Sequence, residues 1–252
     1  ENLMKKYFFS LAVLLLSACS STSSNFTHLP LPNFKADFAK QEMQDRVSIN
    51  VKEIEVQRIN QYSKDFESSV LRIRLDEELK ILVKKLQKQS EDLLRLRGYD
   101  ISSSNPDYTL YHKIDVYIEE SDIKRKNQWL SGEELSSMLH LSLSSNMQLK
   151  GSGGIVDMNT NVKFQAPIAI EYPVKTAQGT SFFKTVVSTV PTQINKGLEA
   201  AVFDIDKLLL KFYKDSLSNL DKNALNLKSD NSSEETVKED TLLPSEEVII
   251  FE

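Results

Sequence analysis

The sequence predicts an α+β domain of two layers, in which one antiparallel sheet has a long helix after its first strand and a C-terminal helix packed on one face. Two periodicities predict this class: apolar residues alternate in several short segments, and they follow a helical spacing in two long ones. The order of these segments, strand, helix, strands and helix, is typical of a two-layer domain. The 252-residue chain, with 40% hydrophobic and 27% charged residues, also has the composition of a folded protein.

The first strand is predicted to begin at about Val47 and to contain a bulge. Its apolar residues alternate, slip by one position and alternate again, as they do when one extra residue is inserted into a strand. These residues are Val47, Ile49, Val51, Ile54 and Val56.

A long amphipathic helix is predicted next, from about Ser63 to Arg97. Its leucines share one face and lie opposite a face of Glu, Lys and Arg. The leucine stripe consists of Leu71, Leu75, Leu79, Leu82, Leu86 and Leu93. Gly98 follows the helix, and glycine is the residue that most readily adopts the left-handed conformation that ends a helix.

The sheet is predicted to continue after a loop at 102–107. Alternating apolar residues indicate a second strand at 108–118 and a third at 139–149. The segment 121–134 between them shows no period, so it is predicted to be a long connection. A glycine-rich turn at 151–154 follows the third strand.

Two further strands and a helix complete the predicted domain. The strand segment 155–174 contains Pro167 and Pro173, which suits an edge of the sheet, and 182–190 is predicted to be the last strand. A helix from about 193 to 220 follows, because its apolar residues recur in steps of four and three. Its stripe consists of Ile194, Leu198, Ala201, Ile205, Leu208 and Phe212.

The N-terminal segment has the features of a bacterial lipoprotein signal peptide. At 4–18, two lysines precede an apolar run that is too short to span a membrane but suits a signal peptide. Residues 16–19, with the sequence Leu-Ser-Ala-Cys, resemble the lipobox, which implies a diacylglycerol and an N-acyl lipid on Cys19. Ser20, rather than an aspartate, follows the cysteine, and by resemblance to the sorting rule of enteric bacteria this implies the outer membrane, with the leaflet left open.

The rest of the chain divides into three predicted parts. Residues 19–46 are polar and then proline-punctuated, as in a flexible tether, and 47–225 form a single α+β domain. Residues 226–252 are acidic and predicted to be disordered, with an apolar cluster at 248–251 that could dock on a partner. This tail holds eight acidic residues and two lysines, whereas the whole chain has a formal net charge of −5, so the rest of the chain is nearly neutral and no nucleic-acid partner is indicated.

No enzyme motif is found, and the chain is not predicted to be an enzyme. The three histidines, His28, His112 and His140, are far apart and lack cysteine partners, so no metal site is predicted. The glycine-rich segment 150–154 lacks the Lys-Ser/Thr ending of a phosphate-binding loop. No catalytic residue and no cofactor other than the lipid on Cys19 are therefore expected.

Several short phrases resemble one lipoprotein family. They are Gln61-Tyr62-Ser63 before the long helix, Arg97-Gly98-Tyr99 at its end, and Lys124-Arg125-Lys126 after the next strand. With the final helix, these phrases make 47–225 similar to the neuraminyllactose-binding hemagglutinin (HpaA) family. A broader resemblance, to small outer-membrane lipoproteins of the YajG type, lies in a helix ending in Gly-Tyr that is followed by strands and a helix.

The resemblance implies a surface or flagellar-sheath lipoprotein that acts as an adhesin and binds sialylated glycans. The family's proposed sugar-binding stretch is rich in Lys and Arg; Lys124, Arg125 and Lys126 match it, whereas a later lysine pair is absent. Such cations would pair with the carboxylate of a sialic acid, and Trp129 could pack against the sugar. The alternative is a periplasm-facing accessory lipoprotein, which would bind another envelope protein and assemble or stabilise an envelope machine. The oligomeric state is left open.

Overall fold

The computed structural model describes residues 31–33, 47–128, 132–151, 154–174, 194 and 196–224. Several predictions concern parts of the chain outside the described residues. These are the signal peptide, the lipidated Cys19, the tether, Trp129, the strand at 182–190 and the acidic tail.

The described elements confirm the α+β class, with a long helix after the first strands and a second long helix at the C-terminal side. In chain order they are β1 (Ser48–Val51), β2 (Glu55–Gln61), α1 (Lys64–Glu67), α2 (Val70–Leu96), β3 (Asp100–Ile101), β4 (Tyr108–Gln128), β5 (Gly132–Gly151), β6 (Gly154–Lys163), β7 (Ile168–Pro173) and α3 (Lys196–Ala224). None of the described helices is long and apolar enough to cross a membrane.

A central hairpin of two long strands, β4 and β5, forms the middle of the sheet. The short strands lie along its two outer edges: β1 and β2 pair with β4, whereas β6 and β7 pair with β5. β3 extends the sheet beyond β1. The predicted position of the proline-containing strands at a sheet edge is therefore confirmed, since β6 and β7 each pair only with β5 among the described strands.

The sheet is mixed, so the prediction of a purely antiparallel sheet is wrong. β1 and β2 both run parallel to β4, and β1 also runs parallel to β3. The long helix α2 causes this, because a chain that leaves a strand and returns through a helix on one face reaches the next strand in the same direction. Only the pairs of β5 are antiparallel among the described strands.

The predicted slip in the first strand is present and separates two strands. Val51 pairs with Leu110 and Glu55 pairs with Lys113, so one extra residue lies on the β1–β2 side. The chain leaves the sheet over this interval and rejoins it one residue later, which is the geometry of a bulge. The pattern of alternation therefore located the interruption, although it predicted one strand where the structure has two.

Residues 121–128 and 132–134 belong to two paired strands, so the prediction of 121–134 as a long connection is wrong. β4 continues to Gln128, and β5 begins at Gly132. The register between the two strands shifts by one residue after Ser121, where Asp122 has a φ of 51°. Aspartate tolerates this left-handed conformation, and the bulge shifts the alternation, which hides the strand from a period-based prediction.

The predicted long helix is divided into α1 and α2. Ser63 and Ser69 each accept a hydrogen bond from the backbone N–H three residues later, which caps both helices. α2 ends as predicted, because Gly98 has a φ of 91° and Tyr99 N–H donates to the carbonyl of Leu94. The predicted leucine stripe is confirmed, since all six leucines are buried.

Both long helices contribute to one core on the inner face of the sheet. The predicted stripe of α3 is confirmed from Leu198 to Phe212, and Ile194 is partly buried against the same core. On β4, buried Leu110, Ile114 and Val116 alternate with residues that point to the other face. We call that other face the open face, because none of the described helices packs on it.

Candidate functional site

The predicted basic cluster lies on β4, just beyond the bulge at Asp122. Strand alternation divides its three residues between the two faces of the sheet. Lys124 and Lys126 pair with Ser136 and Glu134 on the open face, whereas Arg125 pairs with buried Leu135. The three cations therefore do not converge on one point.

Carboxylates of this chain contact two of these three cations. Arg125 Nη1 lies 2.7 Å from Glu133 Oε1, and its Nη2 lies 2.8 Å from Asp65 Oδ2. Lys126 Nζ lies 2.9 Å from Glu171 Oε1. Hydrogen bonding to Glu133 raises the pKa of Arg125, and hydrogen bonding to Glu171 raises the pKa of Lys126. Lys124 is exposed and forms no ion pair with a described residue.

A second polar site, which we call the notch, lies where the chain is interrupted between β1 and β2. It is a cavity of about 550 Å³. It lies beside the part of β4 between Leu110, the last residue paired with β1, and Lys113, the first residue paired with β2. Its walls come from the turn after β1 and from the adjoining ends of β2, β4 and β5. The lining residues are Lys52, Glu53, Ile54, Glu55, Tyr111, His112, Lys113, Asn146, Gln148 and Lys150.

An exposed aromatic ring lies at the notch. Tyr111 is 43% exposed, and its register partner on β5 is Gln148. The Lys150 ammonium lies 5.0 Å from the centroid of the Tyr111 ring, so the cation and the ring form one surface. Because Tyr111, Lys113 and Lys150 are outward-facing residues of adjacent strands, the sheet itself holds them at the same site.

Cations and hydrogen-bonding groups surround this ring. Neither Lys52 nor Lys150 forms an ion pair with a described residue, whereas Lys113 Nζ lies 3.1 Å from Asp115 Oδ1. The amide of Asn146 donates to Asn159 at 2.8 Å, and that of Gln148 donates to Asp157 at 2.6 Å, which fixes both amides on the open face. The notch therefore combines cations with positioned amide groups and an aromatic surface.

The notch was not predicted from the sequence, although the sequence contains one indication of it, the slip in the alternation of apolar residues. The one-residue slip marks the interruption between β1 and β2, but the sequence does not show that β4 and β5 bring Tyr111 and Lys150 to it. Those two residues lie 39 positions apart, and only the register of the long hairpin joins them. Lys124, Arg125 and Lys126 were found because they are adjacent in the sequence.

Buried Glu120 links the first helix to the sheet. Its carboxylate accepts hydrogen bonds from Ser63 N at 3.0 Å, Ser63 Oγ at 2.7 Å and Ser137 Oγ at 2.7 Å. The Tyr172 hydroxyl also donates to it, and burial together with this bond raises the pKa of Tyr172. Four donors satisfy the carboxylate, so the cluster is a structural anchor for the start of α1.

The phrase Arg97-Gly98-Tyr99 also has a structural role. Arg97 forms an ion pair with Asp221 of α3 at 2.6 Å, and the Tyr99 hydroxyl donates to the carbonyl of Ala224. Gly98 provides the left-handed turn that brings both side chains to α3. The residues that carried part of the resemblance thus join α2 to α3.

The described residues show no metal site, since no group of three His, Cys, Asp or Glu side chains among them could hold an ion. His112 is buried and accepts or donates one hydrogen bond, between Nε2 and Ser145 Oγ at 2.8 Å. Burial lowers the pKa of His112 to about 4, so the ring is neutral at physiological pH.

Comparison with known proteins gives distant structural neighbours. No family model matches the chain, and no curated protein matches it. A crystal structure named as a neuraminyllactose-binding hemagglutinin homolog from Helicobacter pylori has 14% identity and a TM-score of 0.39, covering 75% of this chain and 91% of that one. A minor lipoprotein from Acinetobacter baumannii has 11% identity and a TM-score of 0.24, covering 70% and 93%. These similarities are too weak to assign a function to any residue of this chain.

Proposed function

We propose that the chain is a lipoprotein, anchored to the outer membrane through Cys19, that binds sialylated glycans as an adhesin. The observation that carries the binding proposal is the notch, where three lysines line one cavity together with the exposed ring of Tyr111. The lipid anchor is supported by the lipobox-like sequence at 16–19. Two or three acyl chains hold a folded domain on a membrane, at roughly 0.8 kcal/mol for each buried methylene.

The size and shape of the notch suit a saccharide unit. Its volume of about 550 Å³ lies within the usual range for small-molecule sites. A pyranose ring has one apolar face of C–H groups, which packs on an aromatic ring such as Tyr111. Its hydroxyl groups donate to carboxylate and amide oxygens, and Glu53, Glu55 and Asn146 provide such acceptors.

The charges of the notch favour a ligand with a single carboxylate. Lys52, Lys113 and Lys150 can each donate to an anionic group as compact, mobile cations. The two glutamates of the same lining would repel a polyanion, such as a nucleic acid, but they would accept hydrogen bonds from neutral hydroxyls. A sialylated sugar has this combination of one carboxylate and many hydroxyls.

The hairpin cluster of Lys124, Arg125 and Lys126 is the second place at which such a ligand could bind. There a ligand carboxylate would have to displace Glu133 and Glu171 from their cations. Exposed ion pairs contribute little because solvent screens them, so this competition is modest, but the cluster is divided between two faces. For that reason we assign the primary site to the notch.

The alternative function, an envelope accessory protein, is favoured by a different observation. The β2 strand leaves one edge unpaired among the described strands, and an unpaired edge is a common site for a protein partner. Protease treatment of intact cells separates the two functions. We expect an adhesin to be removed from the cell surface, whereas a periplasmic accessory would be spared.

A titration of the purified chain tests glycan binding. The ligand is 3′-sialyllactose, and lactose, which lacks the carboxylate, is its matched control. We expect heat of binding for the sialylated sugar only, with an affinity that falls as salt is added, because salt screens exposed charges over about 8 Å at physiological strength. Equal responses to both sugars, or none at millimolar concentration, would contradict the proposal.

A further inference from the structure

A second groove, on the inner side of the sheet, lies between α2 and β2. It has a volume of about 510 Å³ and contains four apolar side chains, Ile54, Val56, Leu79 and Val83. Val56 is 38% exposed, although its neighbours in the groove are buried or half-buried. An apolar surface of this kind, bordered by a strand edge, is typical of a binding site for an extended peptide.

The strand that borders the groove has one edge that no other described strand covers. β2 pairs with β4 over seven residues, from Glu55 to Gln61, and no other described strand pairs with it. Val56 is exposed on the groove side of this strand, and Ile59, on the open face, is 44% exposed. Unpaired backbone groups beside exposed apolar residues attract another strand, and natural proteins usually cover or charge such an edge.

A row of lysines forms the helical side of the groove. Lys80, Lys84 and Lys88 are exposed and follow one another at intervals of four on α2. None of them forms an ion pair with a described residue. Like charges at this spacing weaken a helix, and an acidic partner would reverse that effect.

We propose that residues 246–252 of this chain bind in this groove, along the edge of β2 that no other described strand covers. Their sequence, Glu-Glu-Val-Ile-Ile-Phe-Glu, places a β-branched and aromatic run between acidic residues. The apolar run matches the groove in hydrophobicity and has a high propensity to extend as a strand. The flanking acids match the lysine row in charge.

The chain between α3 and this segment is long enough for binding within one molecule. About 24 residues separate Ala224 from Val248, and they can span up to about 80 Å when extended. A domain of this size has a diameter on the order of 40 Å, so every part of its surface is within reach. A tethered segment also has an effective concentration of about millimolar, which favours binding within the molecule over binding to a second copy.

Hydrogen exchange of the full-length protein in detergent tests the proposal. Docking of the segment protects those amides of 55–61 that point away from β4, which belong to alternate residues of the strand. The double variant Ile249→Asp/Ile250→Asp replaces apolar residues of the segment and no residue of the core. Because this variant should not dock, we expect these amides to exchange at least tenfold faster in it than in the wild type. Unchanged exchange in this variant would overturn the proposal.

Two lysine rows provide a matched comparison. Reversing the charge of the lysines in the groove, with Lys80→Glu/Lys84→Glu/Lys88→Glu, should speed amide exchange at 55–61 as the substitutions at Ile249 and Ile250 do. Reversing the charge of exposed lysines on α3, with Lys207→Glu/Lys211→Glu/Lys214→Glu, should leave the exchange rate at 55–61 unchanged. Equal effects of the two reversals would overturn the assignment of the groove.

Zero-length cross-linking of amines to carboxylates identifies the occupant. In the wild type we expect cross-links from Lys80, Lys84 or Lys88 to Glu246, Glu247 or Glu252 in the monomer fraction. Cross-links found only between two copies would overturn binding within one molecule. The test uses no glycan, so its result is independent of whether the notch binds sialyllactose.

Discussion

The ammonium nitrogen of Lys150 lies 5.0 Å from the centroid of the Tyr111 ring, on the face of the sheet that no described helix covers. The two residues are on neighbouring strands of the long hairpin, and the interruption between β1 and β2 opens a cavity beside them. An exposed cation–π pair contributes about 0.5–1 kcal/mol, which helps to hold the ring in place before a ligand arrives.

Replacing this ring should weaken glycan binding without weakening the fold. We expect Tyr111→Ala to lower the affinity for 3′-sialyllactose about tenfold, because the sugar loses its packing surface. Tyr117→Ala is the control: this tyrosine also lies on β4 and faces the same way, but it bonds to Glu119 and Gln61 outside the notch. Equal losses of affinity in the two variants, measured by calorimetry, would count against the notch.

The helices α2 and α3 are joined by a buried ion pair, whose loss should destabilise the protein. Arg74 forms two hydrogen bonds with Asp206, at 2.9 and 3.0 Å, and its side chain is 3% exposed. Arg74→Met leaves the Asp206 carboxylate without this partner, so we expect the free energy of unfolding to fall by about 3–5 kcal/mol. Chemical denaturation measures this change.

Arg95→Met is the matched control for that variant. Arg95 is 53% exposed, and its nearest carboxylates are Glu91 and Asp92 at 3.6 Å. Exposed pairs of this kind contribute about 0–1 kcal/mol. A similar loss of stability in both variants would show that α2 and α3 are not held together by the Arg74 pair.

Stability should fall in acid partly because of His112. Burial lowers the pKa of this residue to about 4 from 6.5, so between these values the unfolded chain binds more protons than the folded one. The contribution is fully present above about pH 6.5 and is lost as the pH falls towards 4. Between pH 7 and 4.5, we expect the wild type to lose about 2–3 kcal/mol more than His112→Gln.

His140→Gln provides the control for this pH dependence. His140 lies on the open face and is only half-buried. This variant removes a histidine while it leaves the buried ring of His112 in place. An identical acid response in the wild type and in His112→Gln would contradict the burial of a neutral ring.

The lipid anchor depends on a single thiol. Cys19→Ala removes the only cysteine of the chain, so no acyl group can be attached at the predicted lipobox. We expect this variant to leave the membrane fraction or to accumulate unprocessed, because the acyl chains are the proposed anchor of the domain. Membrane recovery of the variant with the mass of the lipidated form would contradict the predicted anchor.

The fold was predictable where local patterns decide it. The leucine stripe of α2, the turn at Gly98 and the stripe of α3 follow from residues that are close in sequence. The parallel pairing of β1 and β2 with β4 was not predictable in this way, because it depends on the path of the chain through α2. The strand at 122–128 was hidden by a single bulge residue, Asp122.

The candidate site was less predictable than the fold. The cluster of Lys124, Arg125 and Lys126 is visible in the sequence because its residues are adjacent. The partners Asp65 of Arg125 and Glu171 of Lys126 come from distant segments, so the sequence does not show these ion pairs. The notch combines residues from three strands and a turn, and only the register between those strands brings them together. Charge in a sequence therefore shows where cations occur, whereas the fold decides which of them have partners.

The central claim is that the notch, rather than the hairpin cluster, binds the carboxylate of a sialylated glycan. The most direct measurement is calorimetric titration of 3′-sialyllactose into two triple variants of equal charge change. We expect the notch variant, Lys52→Ala/Lys113→Ala/Lys150→Ala, to abolish binding. The cluster variant, Lys124→Ala/Arg125→Ala/Lys126→Ala, should retain the affinity within about threefold. The net charge falls equally in both, so a difference between them reports the place of binding and not the overall charge. Retention of binding in the first variant, together with its loss in the second, would contradict the account.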